Sequence, residues 1–343
     1  MLELDRLRID TAQVPAAEAT WRKDSTVVIE YRIFRNNDPP ALVDIWRNAN
    51  PTALAQPMNA SLLEDLVLGK PYFDRAGLVV AIDDGTPVGF GHAGFGPSED
   101  RTDLCREVGV VCMVAVRPSH RRRGIARDLV GRLEEYLKGH GAKSIYAGGV
   151  RPFDPFYSGL YGGNQLPGVL EADVAANALF EGLGYTVADQ LRRMRCNFDT
   201  FRPVVDRHQL MIRRAFRTDS LLDPPPGDWW EACTFGEFHR IRFELTSRDG
   251  GPPDATATLW SLDPIVWQPG VRSVGLLDLT VRETKRRQGL ATFLLGEALR
   301  QLHDHGFAMA DTQVLENDKV TGALLEKLGF SEVDRGNVYQ KRV

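Results

Sequence analysis

The chain has 343 residues, 43% hydrophobic and 26% charged, enough for two domains that each bury a core of their own. A net charge of −4 gives no general attraction to nucleic acid or to an anionic membrane, so neither is an expected partner. With no run of 18 apolar residues and no apolar segment close to Met1, the expectation is a cytoplasmic protein. Cys105, Cys112, Cys196 and Cys233 are scattered without CxxC spacing, which points away from a disulfide framework and from a zinc site.

Residues 1–25 read as a mixed polar extension. Thr26 to Arg35 alternates like a half-buried strand. Pro39-Pro40 opens a helix through Leu42, Ile45 and Trp46, and Ser61 is the expected cap of a second one, with Glu64 at its capping-box position. Gly77 to Ile82 and Val88 to Gly94 flank an Asp83-Asp84-Gly85 turn and form a hairpin. The nearly continuous apolar run Val108 to Val116 predicts a buried central strand. After Gly124, the stripe Ile125, Leu129, Val130, Leu133, Tyr136 and Leu137 has helical period. A strand at Ser144 to Ala147, a Gly/Tyr/Pro-rich stretch from Gly148 to Gly168, a helix from Val174 to Leu183 and a strand reaching Asn197 complete a first domain over 26–200.

After a linker at 201–207, a second domain spans 208–343. Its first strand is expected at Leu210 to Phe216, followed by Pro224 to Pro226 with Trp229 and Trp230 in place of the two helices. Hairpin strands follow at Phe238 to Leu245 and Ala255 to Leu262, then a central strand at Val274 to Val281 and a helix from the Arg286 loop to about His305. A strand at Ala308 to Val314, a helix at Lys319 to Leu328 and a closing strand end the chain. Trp229, Trp230, Trp260 and Trp267 suit a domain interface or an aromatic pocket.

One element is written twice. Val116-Arg117, three residues, then Arg121-Arg122-Arg123-Gly124-Ile125-Ala126 is matched by Val281-Arg282, three residues, then Arg286-Arg287-Gln288-Gly289-Leu290-Ala291. The offset is 281 − 116 = 165, and His140-Gly141 and His305-Gly306 keep it past the helix that follows. Each copy sets an Arg/Gly turn between an apolar strand and a helix, where unpaired N–H groups and the positive end of the helix dipole favour a phosphate. Glycine lets the backbone approach such a ligand without a Cβ. A solvated basic turn is the plain alternative for either copy alone; the duplication favours a phosphate-binding loop. GxGxxG after a strand is absent, and Ala142 and Leu137 stand where a Walker loop ending at Lys143-Ser144 needs glycines.

The element order, with R-x-x-G-x-A between the fourth strand and third helix (Arg121, Gly124, Ala126; Arg286, Gly289, Ala291), resembles the GCN5-related N-acetyltransferase (GNAT) family. Leu183-Gly184-Tyr185 and Leu328-Gly329-Phe330 are similar to the tripeptide that ends the last helix in that family. The resemblance covers about 26 to 343 and is to tandem members such as mycothiol synthase. It implies two α/β domains, each a mixed, mostly antiparallel sheet flanked by helices. It also implies acetyl-CoA as co-substrate, without a metal, and an amine of a small molecule or peptide as acceptor. Val116 and Val281 with Arg121 to Ala126 and Arg286 to Ala291 would form the cofactor loops.

An alkylamine has a pKa near 10.4, so transfer needs a way to deprotonate it. Family resemblance suggests Asp278, a lone carboxylate in an apolar strand, as base or ammonium anchor; 278 − 165 gives Met113, leaving Glu107 as the nearest acid in the first copy. The family's tyrosine four residues before the helix-ending glycine is Phe180 in one copy and Leu325 in the other, and its asparagine is replaced by Asp173 and Asp318. The helix-ending glycines are 329 − 184 = 145 apart, so the first copy carries 165 − 145 = 20 extra residues, around Arg151 to Gly168. Tyr157 and Tyr161 in that insertion are candidates for the missing proton donor or for the wall of the substrate site; a surface flap packed on its own domain is the alternative. A non-catalytic acyl-CoA-binding or sensing protein is the other functional reading, motivated by the two missing tyrosines.

Overall fold

The computed structural model describes residues 28–49, 58–265 and 271–343. The extension at 1–25, the start of the first expected strand and Trp267 lie outside the described residues.

In the first half, strand β1 (Glu30–Ile33) leads to helix α1 (Pro39–Ala49) and helix α2 (Ala60–Leu63). Asn59, not Ser61, caps α2 by accepting from the Leu62 N–H, and Glu64 instead begins a wider turn over Glu64–Leu68. β2 (Leu78–Asp83), β3 (Thr86–Pro97) and β4 (Leu104–Val116) follow as an antiparallel meander. α3 (Ile125–Gly139), β5 (Ser144–Ala147), the two-residue β6 (Val169–Leu170), α4 (Val174–Gly182) and β7 (Thr186–Asn197) complete this half.

The second half opens differently from the expectation. Leu210 to Ala215 is not strand but part of helix α5 (Arg207–Ala215), capped by the Asp206 side chain on the Gln209 N–H. The apolar run misleads because only Ile212 of it is buried, while Leu210 and Met211 are 50% and 60% exposed. The strand comes after it, as β8 (Phe216–Leu222). A short helix, α6 (Trp229–Phe235), stands where no helix was expected; Asp228 caps it. β9 (Arg240–Ser247), β10 (Ala255–Ser261), β11 (Arg272–Val281), α7 (Leu290–Asp304), β12 (Phe307–Leu315), α8 (Lys319–Lys327) and β13 (Ser331–Arg342) then repeat the first half.

All strands join one mixed sheet in the order β1-β2-β3-β4-β5-β13-β7-β12-β11-β10-β9-β8, with β6 beside β13. The closing strands are exchanged between the halves. β13 pairs with β5 of the first half, Tyr339 opposite Ala147, and β7 pairs with β12 of the second, Met309 opposite Asn197. The seam is fixed by charge as well as by backbone. Arg195 on β7 forms a two-pronged pair with the buried Asp311 on β12, 2.9 Å on each prong, and Lys341 on β13 reaches Glu134 of α3 at 2.9 Å. Removing one partner of a buried pair such as Arg195 and Asp311 costs about 3–5 kcal/mol.

Three large cores follow. One lies under α3 and α4 of the first half, and a second surrounds α7. The third joins α1, α2 and the insertion residues Phe156, Tyr157 and Leu160 to Phe235, Phe238, Trp260 and Leu277 of the second half. Tyr72 stacks on Trp230 with ring centroids 4.5 Å apart, and Trp260 Nε1 donates to the Gly163 carbonyl at 3.0 Å. The aromatic residues of the second half therefore serve the interface. Among the described residues, no helix is long and apolar enough to cross a membrane, and no group of three or more His, Cys, Asp or Glu is placed to hold a metal ion.

Because each half lacks its own innermost strand, residues 1–205 expressed alone should show no cooperative thermal unfolding by circular dichroism and should regain it when mixed with 206–343. A monomeric 1–205 that unfolds cooperatively by itself would contradict the exchange.

Candidate active site

The two Arg/Gly loops have one backbone conformation. Arg122 and Gly124 have φ of 62° and 85°, and Arg287 and Gly289 have 64° and 71°. A side chain at Gly124 or Gly289 would therefore be strained, and the left-handed turns point successive N–H groups to one side, as in an anion-binding nest. Among the described residues, none of the N–H groups from Arg122 to Ala126 donates a hydrogen bond. The first arginine of each copy braces its loop through its Nε. Arg121 Nε donates to the Val116 carbonyl at 3.1 Å and Arg286 Nε to the Val281 carbonyl at 3.3 Å. Arg121 also bonds the Ala49 carbonyl at the end of α1. His120 and Arg123 both meet Asp83 at 3.2 Å, which leaves Arg122 as the loop cation with neither a described side-chain hydrogen bond nor an ion pair.

Each loop stands at the mouth of a gap between strands. β5 pairs in parallel with β4 only over Val108 to Val111, and β12 with β11 only over Arg272 to Gly275. Past those residues the strands part. A bulge marks the parting in each half: opposite Ala93 and His92 the register steps from Val111 to Met113, skipping Cys112, and opposite Leu259 and Thr258 it steps from Leu276 to Asp278, skipping Leu277. Since 277 − 112 = 165, the bulges keep the offset of the loops. A bulge bends its strand and frees a backbone carbonyl.

The two cradles differ in what covers them. A Cβ built at Gly124 meets no atom of the described residues within 4 Å, whereas one at Gly289 meets the His208 ring at 3.0 Å and Gln209 at 3.3 Å. His208 Nε2 lies 3.0 Å from the Gln288 carbonyl oxygen, so the start of α5 rests on the second loop. The second gap is stopped at its inner end too, because Arg151 and Asn164 from the first-half insertion both donate to the Leu277 carbonyl. Gly275 has no room for a side chain there, its built Cβ lying 2.2 Å from Trp260 and 2.3 Å from the Gly163 carbonyl oxygen. Among the described residues the first loop is thus open at its glycine and the second is covered.

The candidate acid–base residues separate. Asp278 is exposed on β11, bonded by the Thr280 hydroxyl at 3.0 Å, and faces a cavity of about 510 Å³ between the halves. Glu107 lies on β4 before the paired segment, exposed and bonded to Lys143, so it faces away from the mouth of the gap. Tyr157 is fully buried and its hydroxyl is 3.0 Å from His92 Nδ1. Tyr161 packs edge-on against Trp46 of α1, and burial, with Asp173 at the start of α4 adding to it, raises its pKa well above the usual value. Asp173 and Asp318 are helix caps, accepting from the Ala176 and Thr321 N–H groups. Phe180 and Leu325 are core residues, Phe180 stacked on Tyr339 of the exchanged strand.

Sequence reading missed Asp154. It is 6% exposed, lines the same cavity as Asp278, and burial raises its pKa to about 6 against the opposing pull of Arg151 and Arg101. It is the one carboxylate between Arg151 and Gly168, and that was the available signal.

A model of the acetyltransferase (GNAT) family matches residues 40–157 and again 218–330. The chain belongs to the GNAT family. The match covers both loops, both bulges and both parted strand pairs, so the tandem layout is a duplicated GNAT fold. Among solved structures, the chain is similar to a GCN5-related glucosamine N-acetyltransferase region of a fungal multi-domain GH3 beta-N-acetylglucosaminidase, at TM-score 0.67 and 16% identity, over 92% of this chain and 38% of that one. A tandem GNAT protein from the clavulanic acid biosynthesis pathway gives TM-score 0.65 and 16% identity over 92% of this chain and 98% of that one. A GCN5-related N-acetyltransferase from Sphaerobacter thermophilus gives 0.59 and 17%, over 92% and 95%. At such identities the likeness is one of fold. A search of curated proteins finds no match.

His92 offers a direct check on the buried centre of this GNAT protein. It is fully buried with Nε2 unbonded, and burial lowers its pKa to about 3. A lowered histidine pKa means the unfolded state takes up the proton first, so stability is lost as pH falls below about 6.5, at about 1.4 kcal/mol per unit. Asp154, raised to about 6, acts oppositely, its neutral form favouring the fold as pH falls through that value. Urea titrations of wild type and His92→Gln should therefore show the difference between the two proteins shift by about 2 kcal/mol between pH 7 and 5 in favour of the variant. A pH-independent difference would mean that His92 is not held neutral.

Proposed function

We propose that the chain is an N-acetyltransferase that takes acetyl-CoA at its first loop and acetylates a primary amine of a small molecule or peptide in the cytoplasm. The observation that carries this is the open cradle around Gly124, set at the mouth of the gap between β4 and β5. When bound, acetyl-CoA supplies a thioester whose carbonyl carbon an amine attacks, forming a C–N bond while the C–S bond breaks.

The N–H groups from Arg122 to Ala126 and the first turn of α3 would hold the pyrophosphate, with Arg122 as the free cation beside it. Gly124 keeps the approach open. Tyr161 is our choice for the proton the leaving sulfur needs, in place of the residue that is Phe180 here. Its hydroxyl stays protonated because burial and Asp173 both disfavour the phenolate. Met113 stands on β4 where the second half has Asp278, so β4 brings no carboxylate to this mouth and the amine has to arrive as the free base. A sensing role without turnover is the second reading, favoured by the core positions of Phe180 and Leu325.

Thiol release from acetyl-CoA, followed with a panel of primary amines, tests both readings. We expect kcat/KM to rise about tenfold per pH unit toward the amine's own pKa, Tyr161→Phe to lower kcat about 10²-fold at unchanged KM, and Gly124→Glu to raise KM for acetyl-CoA more than about tenfold while Gly289→Glu does not. Binding without thiol release for any amine would favour the sensing reading. A pH plateau near neutrality would place a base at the site after all.

A further inference from the structure

The cavity between the halves is not used by the reaction proposed above, and its lining is chemically unbalanced. Arg151 and Asp154 enter it from the first-half insertion; Arg242, Thr258 and Asp278 enter from neighbouring strands of the second half. The register sets Arg242 on β9 opposite Thr258 on β10, and Thr258 opposite Asp278 on β11, so the three form one row across the sheet. Two strand spacings, about 10 Å, separate the backbone positions of the arginine and the aspartate. A long arginine side chain spans such a gap readily, yet no ion pair joins them among the described residues.

The other charges at the cavity are already matched. Arg101 pairs with Asp228 at 2.8 Å, and Glu231 is held by Arg240 and by the Gly227 N–H. What remains is Arg242 without a described hydrogen bond or ion pair and half-buried, Asp278 with only the Thr280 hydroxyl, Asp154 with no side-chain donor, and Arg151 bonded to a neutral carbonyl. Asp154 is more than nine-tenths buried and lines the cavity. The buried Asp154 and the half-buried Arg242 are withdrawn from water without a direct ionic partner, which is costly; a ligand that brings both signs offsets that cost and gives the exposed Asp278 a partner as well. Trp230 and Phe235 provide the apolar wall.

We infer that this cavity is a binding site for a small amino-acid-like zwitterion, its ammonium group held by Asp278 and Asp154 and its carboxylate by Arg242. A volume of about 510 Å³ is that of a small-metabolite site. The ligand would bridge the halves, since its anchors come from both.

Isothermal titration of the full chain with the common amino acids, β-alanine and 4-aminobutyrate, each against its matched alkylamine and carboxylate, tests this. We expect at least one zwitterion to bind and to exceed its singly charged analogues by more than about tenfold, because each analogue leaves either the two carboxylates or Arg242 unpaired. Arg242→Met and Asp278→Asn should each weaken that binding more than about tenfold at unchanged thermal midpoint. No binding by any zwitterion up to about 10 mM, equal binding by the singly charged analogues, or affinity unchanged in both variants overturns the inference. Acetyl-CoA is titrated in parallel; its failure to bind would count against the acetyltransferase proposal and leave the zwitterion site standing.

Discussion

Placing β13 between β5 and β7 removes the free edge that each half would otherwise have beside its short parallel strand. Backbone pairing of β13 with β5, and of β7 with β12, ties each half to the other through hydrogen bonds that neither can make alone. Because the sheet is continuous, both bulges and both loops are held in a fixed relation to one another. The insertion then has one place to go. It runs from β5 across to the inner end of the second gap, where Gly163 and Asn164 meet Trp260, Gln313 and the Leu277 carbonyl.

From this comes the structural difference between two copies of one element. The first keeps α1 and α2 against its strands and a loop that no described residue covers at Gly124; the second has α5 resting on its loop and the first half's insertion at its apex. The second copy retains Asp278 on a polar cavity, while the first has Met113 packed in an apolar core. A duplicated sequence has therefore produced unlike surroundings, through the twenty extra residues on one side and the missing helix on the other.

Local signals were legible where the chemistry is local. The loops, α3, α7, the central strands and the hairpin turns were readable because Gly, Arg and apolar period specify them residue by residue. The bulges at Cys112 and Leu277 were not, since a bulge depends on the neighbouring strand and neither residue is unusual. Nor was the exchange of β7 and β13: a strand's own pattern says that it pairs, not with which half. Leu210 and Met211 misled because apolar residues on an exposed helix face imitate a strand, and Asp206 was the cap that would have corrected the reading. Asp278 was found by its isolation in an apolar strand. Asp154 was not legible, because its burial comes from a cavity that it shares with strands of the other half.

On the proposed function, acetyl-CoA binds at the first cradle alone, because His208 covers the second loop and the insertion closes its gap. Native mass spectrometry of the intact chain titrated with acetyl-CoA tests it most directly. The account predicts a single mass increment of one acetyl-CoA per chain at saturation; two increments of similar affinity would contradict it.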